Sequence, residues 1–149
     1  MKIVITVGLP GAGKSTYLAK IGVNAISSDE MRRLLADDPA DQSIHRRVFA
    51  AIRYMVRERL ALGRRETFVD ATNLTRWERR QYIQLGDLYS AGVEAMFFDV
   101  PVEVCIERNA RRTRSVPEPV VREMAARLQP PTLGEGLAGV TVIGATACR

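Results

Sequence analysis

The feature that most constrains this chain is a glycine-rich loop close to its start. The loop runs GLPGAGKS from Gly8 to Ser15 and matches the pattern G-x-x-x-x-G-K-[ST] in full. It follows the apolar, mostly β-branched run Ile3–Val7, which predicts a buried strand, and it precedes a helical pattern over about residues 14–21. A strand before and a helix after form the context in which this motif holds the phosphates of a nucleoside triphosphate.

The residue types of this loop explain the chemistry. Glycines let the backbone curl so that successive amides face phosphate oxygens, and the start of the helix adds partial positive charge. Lys14 is expected to reach the β- and γ-phosphates, and the Ser15 hydroxyl to ligate Mg²⁺. The predicted nucleotide-binding residues of the loop are Gly8, Pro10, Gly11, Ala12, Gly13, Lys14, Ser15 and Thr16.

Strands and helices alternate along the rest of the chain. Strands are predicted at about 3–7, 24–27, 67–70, 93–100 and 140–143, and helices at about 14–21, 28–36, 43–62, 75–90, 102–110 and 117–128. This alternation predicts an α/β fold with a central parallel sheet of about five strands flanked by helices on both faces. Residues 1–149 are expected to form a single domain, with ligands at the carboxyl ends of the strands.

Composition excludes several classes of protein. The chain is 46% hydrophobic and 26% charged, as in globular domains, and it has two cysteines and one histidine. These counts argue against a disulfide framework, a zinc site and Cys/His or Ser/His catalysis. No apolar run near the start is long enough for a membrane span or a signal-peptide core, so a reduced, cytoplasmic location and no membrane partner are expected.

The net charge of +5 is unevenly distributed, because residues 46–80 carry +6 and residues 108–127 carry +4. Such basic segments are typical of phosphate-binding surfaces, and they are equally typical of solvated surfaces. The arginines that could form an acceptor groove are Arg46, Arg47, Arg53, Arg57, Arg76, Arg79 and Arg80.

The phosphate-binding motif leaves the reaction open. No Asn-Lys-x-Asp motif follows it, as a guanine-specific switch protein requires, and the chain is too short for a AAA-type motor with a helical lid domain. A compact phosphotransferase is the class that we expect, with a hydrolase or a nucleotide-binding switch as the alternative.

Two carboxylates are predicted at strand ends beside the loop. Asp29 follows the second strand, where a carboxylate can accept the proton of an attacking hydroxyl, and Arg32 lies on the same helix face, where it could hold an acceptor phosphate. Asp70 closes the third strand, where an aspartate can hold Mg²⁺ or its water. The alternatives are a helix cap at Ser28 or Asp29 with an i,i+3 surface pair between Asp29 and Arg32, and a plain Asp-x-Thr-Asn turn that ends at Asn73.

Arginines also end the helix at 102–110. Arg108 and Arg112 share a helix face, and the polar segment 111–116 follows. This pattern predicts a lid that closes over ATP. The alternative is that the helix dipole favours arginines at this helix end. Three further side chains are expected to be structural: Trp77 and Cys105 in packing, and His45 at the surface or as a cap.

Read together, the segments GLPGAGKST, SSDEMR, VDATNL, FDVP and RNARR resemble the polynucleotide 5′-hydroxyl kinase family, above all the kinase domain of bacterial polynucleotide kinase-phosphatases. The resemblance covers about residues 3–130. It implies a three-layer P-loop kinase fold with an arginine-bearing lid, and a reaction that moves the γ-phosphate of ATP to 5′-hydroxyl ends of DNA or RNA.

The resemblance also assigns roles to the candidate residues. Asp29 is the general base, Lys14 and Ser15 bind phosphates and Mg²⁺, and Arg32 engages the acceptor. Arg108 and Arg112 contact ATP phosphates, Arg112 also as a catalytic residue. Asp70 lies in the active site, without a defined role in the family. From their place at the strand end we predict that Asp70 and Asn73 bind the acceptor and that Asp70 is a second Mg²⁺ ligand. The alternatives are a kinase of a small hydroxyl compound (a sugar, nucleotide sugar or antibiotic) and a nucleotide-binding protein without catalysis.

Overall fold

The computed structural model describes residues 1–113 and 115–148, and it contains every predicted strand and helix. The strands are β1 Lys2–Val7, β2 Ala25–Ser27, β3 Glu66–Asp70, β4 Gly92–Asp99 and β5 Gly139–Gly144. The helices are α1 Lys14–Lys20, α2 Ser28–Ala36, α3 His45–Ala61, α4 Arg76–Leu88, α5 Val102–Ala110 and α6 Glu118–Arg127. Short 3₁₀ turns follow at Leu133–Glu135 and Ala145–Cys148.

The five strands form one parallel sheet in the order β2-β3-β1-β4-β5, which confirms the predicted fold class. Because the strands are parallel, all five carboxyl ends lie at one edge. β1, which leads into the phosphate loop, is central, and β3 and β2 lie to one side of it. From β1 the chain passes to β2 and β3 on one side of the sheet and then to β4 and β5 on the other side. Sheets of this type bind ligands where this direction changes, which is next to β1.

Helices cover both faces of the sheet, as three layers require. On one face the buried side chains of β1 pack with α3 and α4, through residues such as Ile5, Ile52 and Tyr82. On the other face a second cluster joins the phosphate loop and β4 to α5 and α6, through residues such as Ala12, Phe98 and Cys105. The predicted core position of Cys105 is therefore confirmed. No helix among the described ranges is both long and apolar enough to traverse a bilayer.

Two residues lie where their sequence did not lead us to expect them. Arg79, a candidate for the acceptor groove, is completely buried and pairs with Glu135. Trp77, expected to pack inside, is 71% exposed. Both are in α4, whose inward face is fixed by contacts with β1 and β4 rather than by hydrophobicity, so Arg79 turns inward and Trp77 turns outward.

Candidate active site

The phosphate loop has the backbone that its glycines predict. Gly11 and Gly13 have φ values of 84° and 93°, and Gly13 is the N-cap of α1. A Cβ atom at Gly11 would lie 2.3 Å from the carbonyl oxygen of Cys105 in α5, so only glycine fits there. Pro10 and Ala12 are buried in the loop, whereas Thr16 is exposed in the first turn of α1.

Lys14 folds back over the loop that carries it. Its ammonium donates hydrogen bonds to the carbonyl oxygens of Gly8, at 3.0 Å, and Leu9, at 2.8 Å. Burial lowers the pKa of Lys14 to about 8, although the negative charge of Asp70 opposes the shift. The charges of Asp29 and Arg112 also act on this ammonium. Lys14 therefore lies within electrostatic range of Asp70, Asp29 and Arg112.

Ser15 connects the loop to β3. Its hydroxyl donates a hydrogen bond of 2.6 Å to Oδ2 of Asp70. A hydroxyl and a carboxylate are the oxygen donors that Mg²⁺ accepts, usually with waters and substrate phosphates as further ligands. The two residues thus fit a magnesium site of this kind. No three His, Cys, Asp or Glu side chains within residues 1–113 and 115–148 are grouped to hold a metal ion by themselves.

The end of β3 is bonded firmly to β1. The hydroxyl of Thr6 donates to the Ala71 carbonyl at 2.7 Å and accepts from its amide at 3.1 Å, and Asn73 Nδ2 donates to the Thr6 carbonyl at 2.8 Å. Asn73 is 2% exposed and has a positive φ of 45°. Its amide therefore shapes the turn after Asp70, and its contact with an acceptor stays a prediction.

Asp29 and Arg32 lie together on α2. Ser27, rather than the predicted Ser28 or Asp29, is the N-cap of α2, since its hydroxyl accepts from the Glu30 amide. The Asp29 carboxylate is consequently not used as a cap, and its side chain is 59% exposed. Arg32 donates to it at 3.3 Å from a side chain that is only 7% exposed.

The Arg32 guanidinium has nitrogen donors that Asp29 does not use. One terminal nitrogen lies 3.4 Å from Nδ1 of His45, at the start of α3, and Nε is buried without a partner among the described residues. Burial and the charge of Arg32 lower the pKa of His45, which favours the neutral ring beside the guanidinium. A positive group held in this way, next to an exposed carboxylate, suits an anionic ligand.

The arginine-rich segment after α5 is fastened at both ends by one residue. Asn109 is 3% exposed, and its side-chain amide donates to the Val116 carbonyl and accepts from the Val116 amide. Arg108 donates to the Ala145 carbonyl at 2.9 Å, and Arg112 is exposed. Arg114, in the same predicted lid, lies outside the described residues. The contacts of Arg108 and Arg112 with ATP phosphates stay predictions.

Three residues that hold the site in place were not predicted from the sequence. Thr6 sits inside a strand, Asn109 inside an arginine cluster and Glu135 in a polar turn, and each acts on a residue more than five positions away. Only Asn109 lay in a segment that the sequence singled out, RNARR, and nothing in that segment indicated that its side chain is buried. The partners of the other two depend on the tertiary fold.

A phosphate loop on the central strand of a 2-3-1-4-5 parallel sheet, with carboxylates at the adjacent strand ends, defines a P-loop kinase fold. A family model described as an AAA domain, AAA_33, matches residues 3–131. The chain belongs to this family. The description specifies neither the reaction nor the acceptor.

Solved structures that resemble the chain include enzymes with different acceptors. A gluconokinase from Sinorhizobium meliloti 1021 matches with a TM-score of 0.65 and 18% identity, over 97% of this chain and 82% of that one. The APS kinase CysC from Mycobacterium tuberculosis, in complex with AMPPNP and APS, matches with a TM-score of 0.61 and 17% identity. The match covers 95% of this chain and 87% of that one. A chain of the Pnkp1/Rnl/Hen1 RNA repair complex matches with a TM-score of 0.72 and 23% identity. The match covers 86% of this chain and 44% of that one. These likenesses establish the fold.

Proposed function

We propose that this protein transfers the γ-phosphate of ATP to the 5′-hydroxyl end of a polynucleotide, DNA or RNA. The observation that carries the proposal is the Asp29–Arg32 pair, in which an exposed carboxylate lies 3.3 Å from a guanidinium that is itself buried. A polynucleotide end has a hydroxyl with a phosphate close to it. The hydroxyl can contact Asp29, and the phosphate can contact Arg32.

The donor half of the site binds and neutralises the triphosphate. The amides of the phosphate loop and the start of α1 face the phosphate oxygens, and the Lys14 ammonium exchanges the Gly8 and Leu9 carbonyls for phosphate. Ser15 and Asp70 would hold Mg²⁺, which supplies positive charge to the phosphates when bound. Arg112 adds its guanidinium when the segment after α5 closes over the donor.

The acceptor half performs the proton transfer. Asp29 accepts the proton of the 5′-hydroxyl as the hydroxyl oxygen bonds to the γ-phosphorus, and the bond from that phosphorus to the β–γ bridging oxygen breaks, so that ADP leaves. Arg32 binds the phosphate next to the acceptor sugar and keeps the hydroxyl in line. Lys14 and Arg112 stabilise the negative charge that spreads over the transferred group.

A second candidate is the phosphorylation of a small hydroxyl compound. It is favoured by the gluconokinase and the APS kinase, which have the same fold and whose names specify small acceptors. A non-catalytic nucleotide-binding protein is a weaker alternative, because it needs neither the exposed Asp29 carboxylate nor the buried Arg32 beside it.

The decisive experiment measures transfer of labelled γ-phosphate from ATP with Mg²⁺ to a panel of acceptors. The panel contains 5′-hydroxyl DNA and RNA oligonucleotides, the same oligonucleotides with 5′-phosphate, gluconate, other sugars and adenosine phosphosulfate. We expect label on the 5′-hydroxyl oligonucleotides alone. Label on a small compound, with none on any oligonucleotide at low salt, would replace the proposal by the second candidate.

A further inference from the structure

We propose that the groove between α3 and α4 binds the strand of the acceptor that follows its 5′ end, so that the substrate is a single strand several nucleotides long. This inference rests on the proposed function and extends it to a surface outside the candidate active site. The groove is defined here as Ala50, Arg53, Tyr54 and Arg57 of α3 with Leu85 of α4, which together line a cavity of about 310 Å³.

The groove starts at the acceptor half of the site. Both α3 and α4 begin just after the carboxyl edge of the sheet and run towards the opposite edge. The first residue of α3, His45, lies 3.4 Å from the Arg32 guanidinium. A strand whose terminal phosphate is bound by Arg32 can therefore continue directly along α3.

The face of α3 that borders the groove carries three cations. Arg46, Arg53 and Arg57 lie on one face of the helix with the small Ala50 between them, over about 16 Å of helix axis. None of the three forms an ion pair with a described carboxylate, whereas Arg33, Arg79, Arg111 and Arg122 all do. This length corresponds to about five nucleotides of a stacked strand.

On the α4 side the groove is lined by the uncharged Leu85. Arg53 and Glu78 both act on the buried Tyr82 hydroxyl, which places Arg53 opposite the first turns of α4. The Glu78 carboxylate is held in the capping box with Thr75, and it is only partly exposed. Arg53 and Arg57 line the groove, and their charges complement a phosphate backbone.

Aromatic surface accompanies the cations. Tyr54 is 56% exposed, and the guanidinium carbon of Arg57 lies 5.4 Å from the centre of its ring. Trp77, in the first turn of α4, is 71% exposed. Arg57 and Tyr54 thus combine a cation with an exposed ring, and single strands are bound without sequence preference through phosphate contacts and base stacking.

The test compares two double variants that remove the same charge. Arg53→Gln with Arg57→Gln removes two cations from the groove, and Arg64→Gln with Arg65→Gln removes two exposed cations near the amino end of β3, at the far edge of the sheet. Binding of a fluorescent 5′-hydroxyl decanucleotide is measured by anisotropy, without ATP, over a range of salt concentrations. Circular dichroism checks that both variants are folded.

We expect the groove variant to bind the decanucleotide at least tenfold more weakly, and the control variant to bind as the wild type does. The slope of log affinity against log salt should fall by about 1.4 in the groove variant, since each lost contact to single-stranded phosphate removes about 0.7. Equal losses in the two variants would mean that the protein binds the strand through general positive charge, and would overturn the inference.

Acceptor length separates this inference from the proposed function. With the wild type, kcat/KM should rise from a dinucleotide to a decanucleotide acceptor, and the groove variant should lose that rise while it still phosphorylates the dinucleotide. If every length is phosphorylated equally by the wild type, the function stands and the groove inference is wrong. If no length is phosphorylated, the proposed function itself is wrong.

Discussion

Arg79 and Glu135, 56 residues apart in sequence, form a bidentate ion pair with N–O distances of 2.8 and 2.9 Å. Their side chains are 0% and 3% exposed. The remaining guanidinium nitrogen of Arg79 donates to the carbonyls of Asn73 and Leu74, both at 3.0 Å. The pair thus attaches the 3₁₀ turn at 133–135 to the loop that follows Asp70.

The first prediction concerns the stability that depends on this pair. Glu135→Gln leaves a buried guanidinium without its counter-charge, so the free energy of unfolding should fall by about 3–5 kcal/mol. Urea denaturation measures the loss. Glu94→Gln is the control, because the Lys2–Glu94 pair is about 40% exposed on each side and is worth less than about 1 kcal/mol. Similar losses in the two variants would contradict the assignment.

A second prediction follows for acid conditions. Burial raises the pKa of Glu135, but hydrogen bonds from Arg79 and from the Thr132 amide prevail and hold that pKa below its ordinary value. The stabilisation is therefore complete above the unfolded pKa of about 4.3 and is lost as the pH falls through the lower folded value. Between pH 5 and the acid transition, wild-type stability should fall more steeply than that of Glu135→Gln. Parallel profiles would disagree with this prediction.

Asp29→Asn tests the proposed general base. The change removes the proton acceptor and keeps the shape, so phosphoryl transfer should fall by about 10²–10⁴-fold while ATP affinity changes little. Glu30→Gln, which alters the neighbouring carboxylate and its pair with Arg33, is the control and should keep most of the rate. Single-turnover transfer and a separate ATP titration give both numbers. Near-normal transfer by Asp29→Asn would remove Asp29 from the catalytic residues.

Arg112→Lys tests the proposed transition-state arginine. An ammonium keeps the charge but not the paired donors that bridge two phosphate oxygens, so single-turnover transfer should fall by about ten- to a thousandfold. Arg111→Lys is the matched control, because Arg111 forms an exposed 2.7 Å pair with Glu107 and its charge does not need to reach the donor. Equal and small effects of the two changes would reduce Arg112 to a surface charge.

The pH dependence of ATP binding tests the state of Lys14. Its pKa lies at about 8 in the free protein, and only the protonated ammonium attracts phosphate. ATP affinity should therefore be constant below that pH and weaken above it, by up to about tenfold per pH unit. Lys14→Arg stays charged throughout, so its weaker binding should not change between pH 7 and about 9.5. A wild-type profile that is flat across pH 8 would contradict the prediction.

Sequence patterns predicted what is local and periodic. The glycine loop, the order of strands and helices, and the bounds of α5 follow from spacing and from residues that start or stop a helix. The placement of Asp29 and Arg32 on one helix face was predicted because residues three apart on a helix lie on the same side; their direct ion pair is the one that the sequence analysis gave as the structural alternative.

The predictions were wrong where tertiary contacts determine which residue caps a helix and which side chains are buried. Ser27 caps α2 because the last residue of β2 directly precedes the helix, and its extended backbone places its hydroxyl at the Glu30 amide. Arg79 is buried and Trp77 is exposed because a carboxylate from the far end of the chain meets α4 on its inner side. No local pattern reveals such a partner, and hydrophobicity alone assigns the two residues to the opposite sides.

The close approach of Gly11 to α5 has a consequence for how this protein can be redesigned. Because a Cβ atom at position 11 would collide with the Cys105 carbonyl, the phosphate loop and α5 can be varied only as a unit. In α3, Arg59 is attached to the sheet, since it donates to the Glu66 carbonyl at 2.7 Å, whereas Arg53 and Arg57 line the open groove. In a library selected for a new acceptor, substitutions should accumulate along α3 and α4, while position 11 stays glycine and the donor remains ATP.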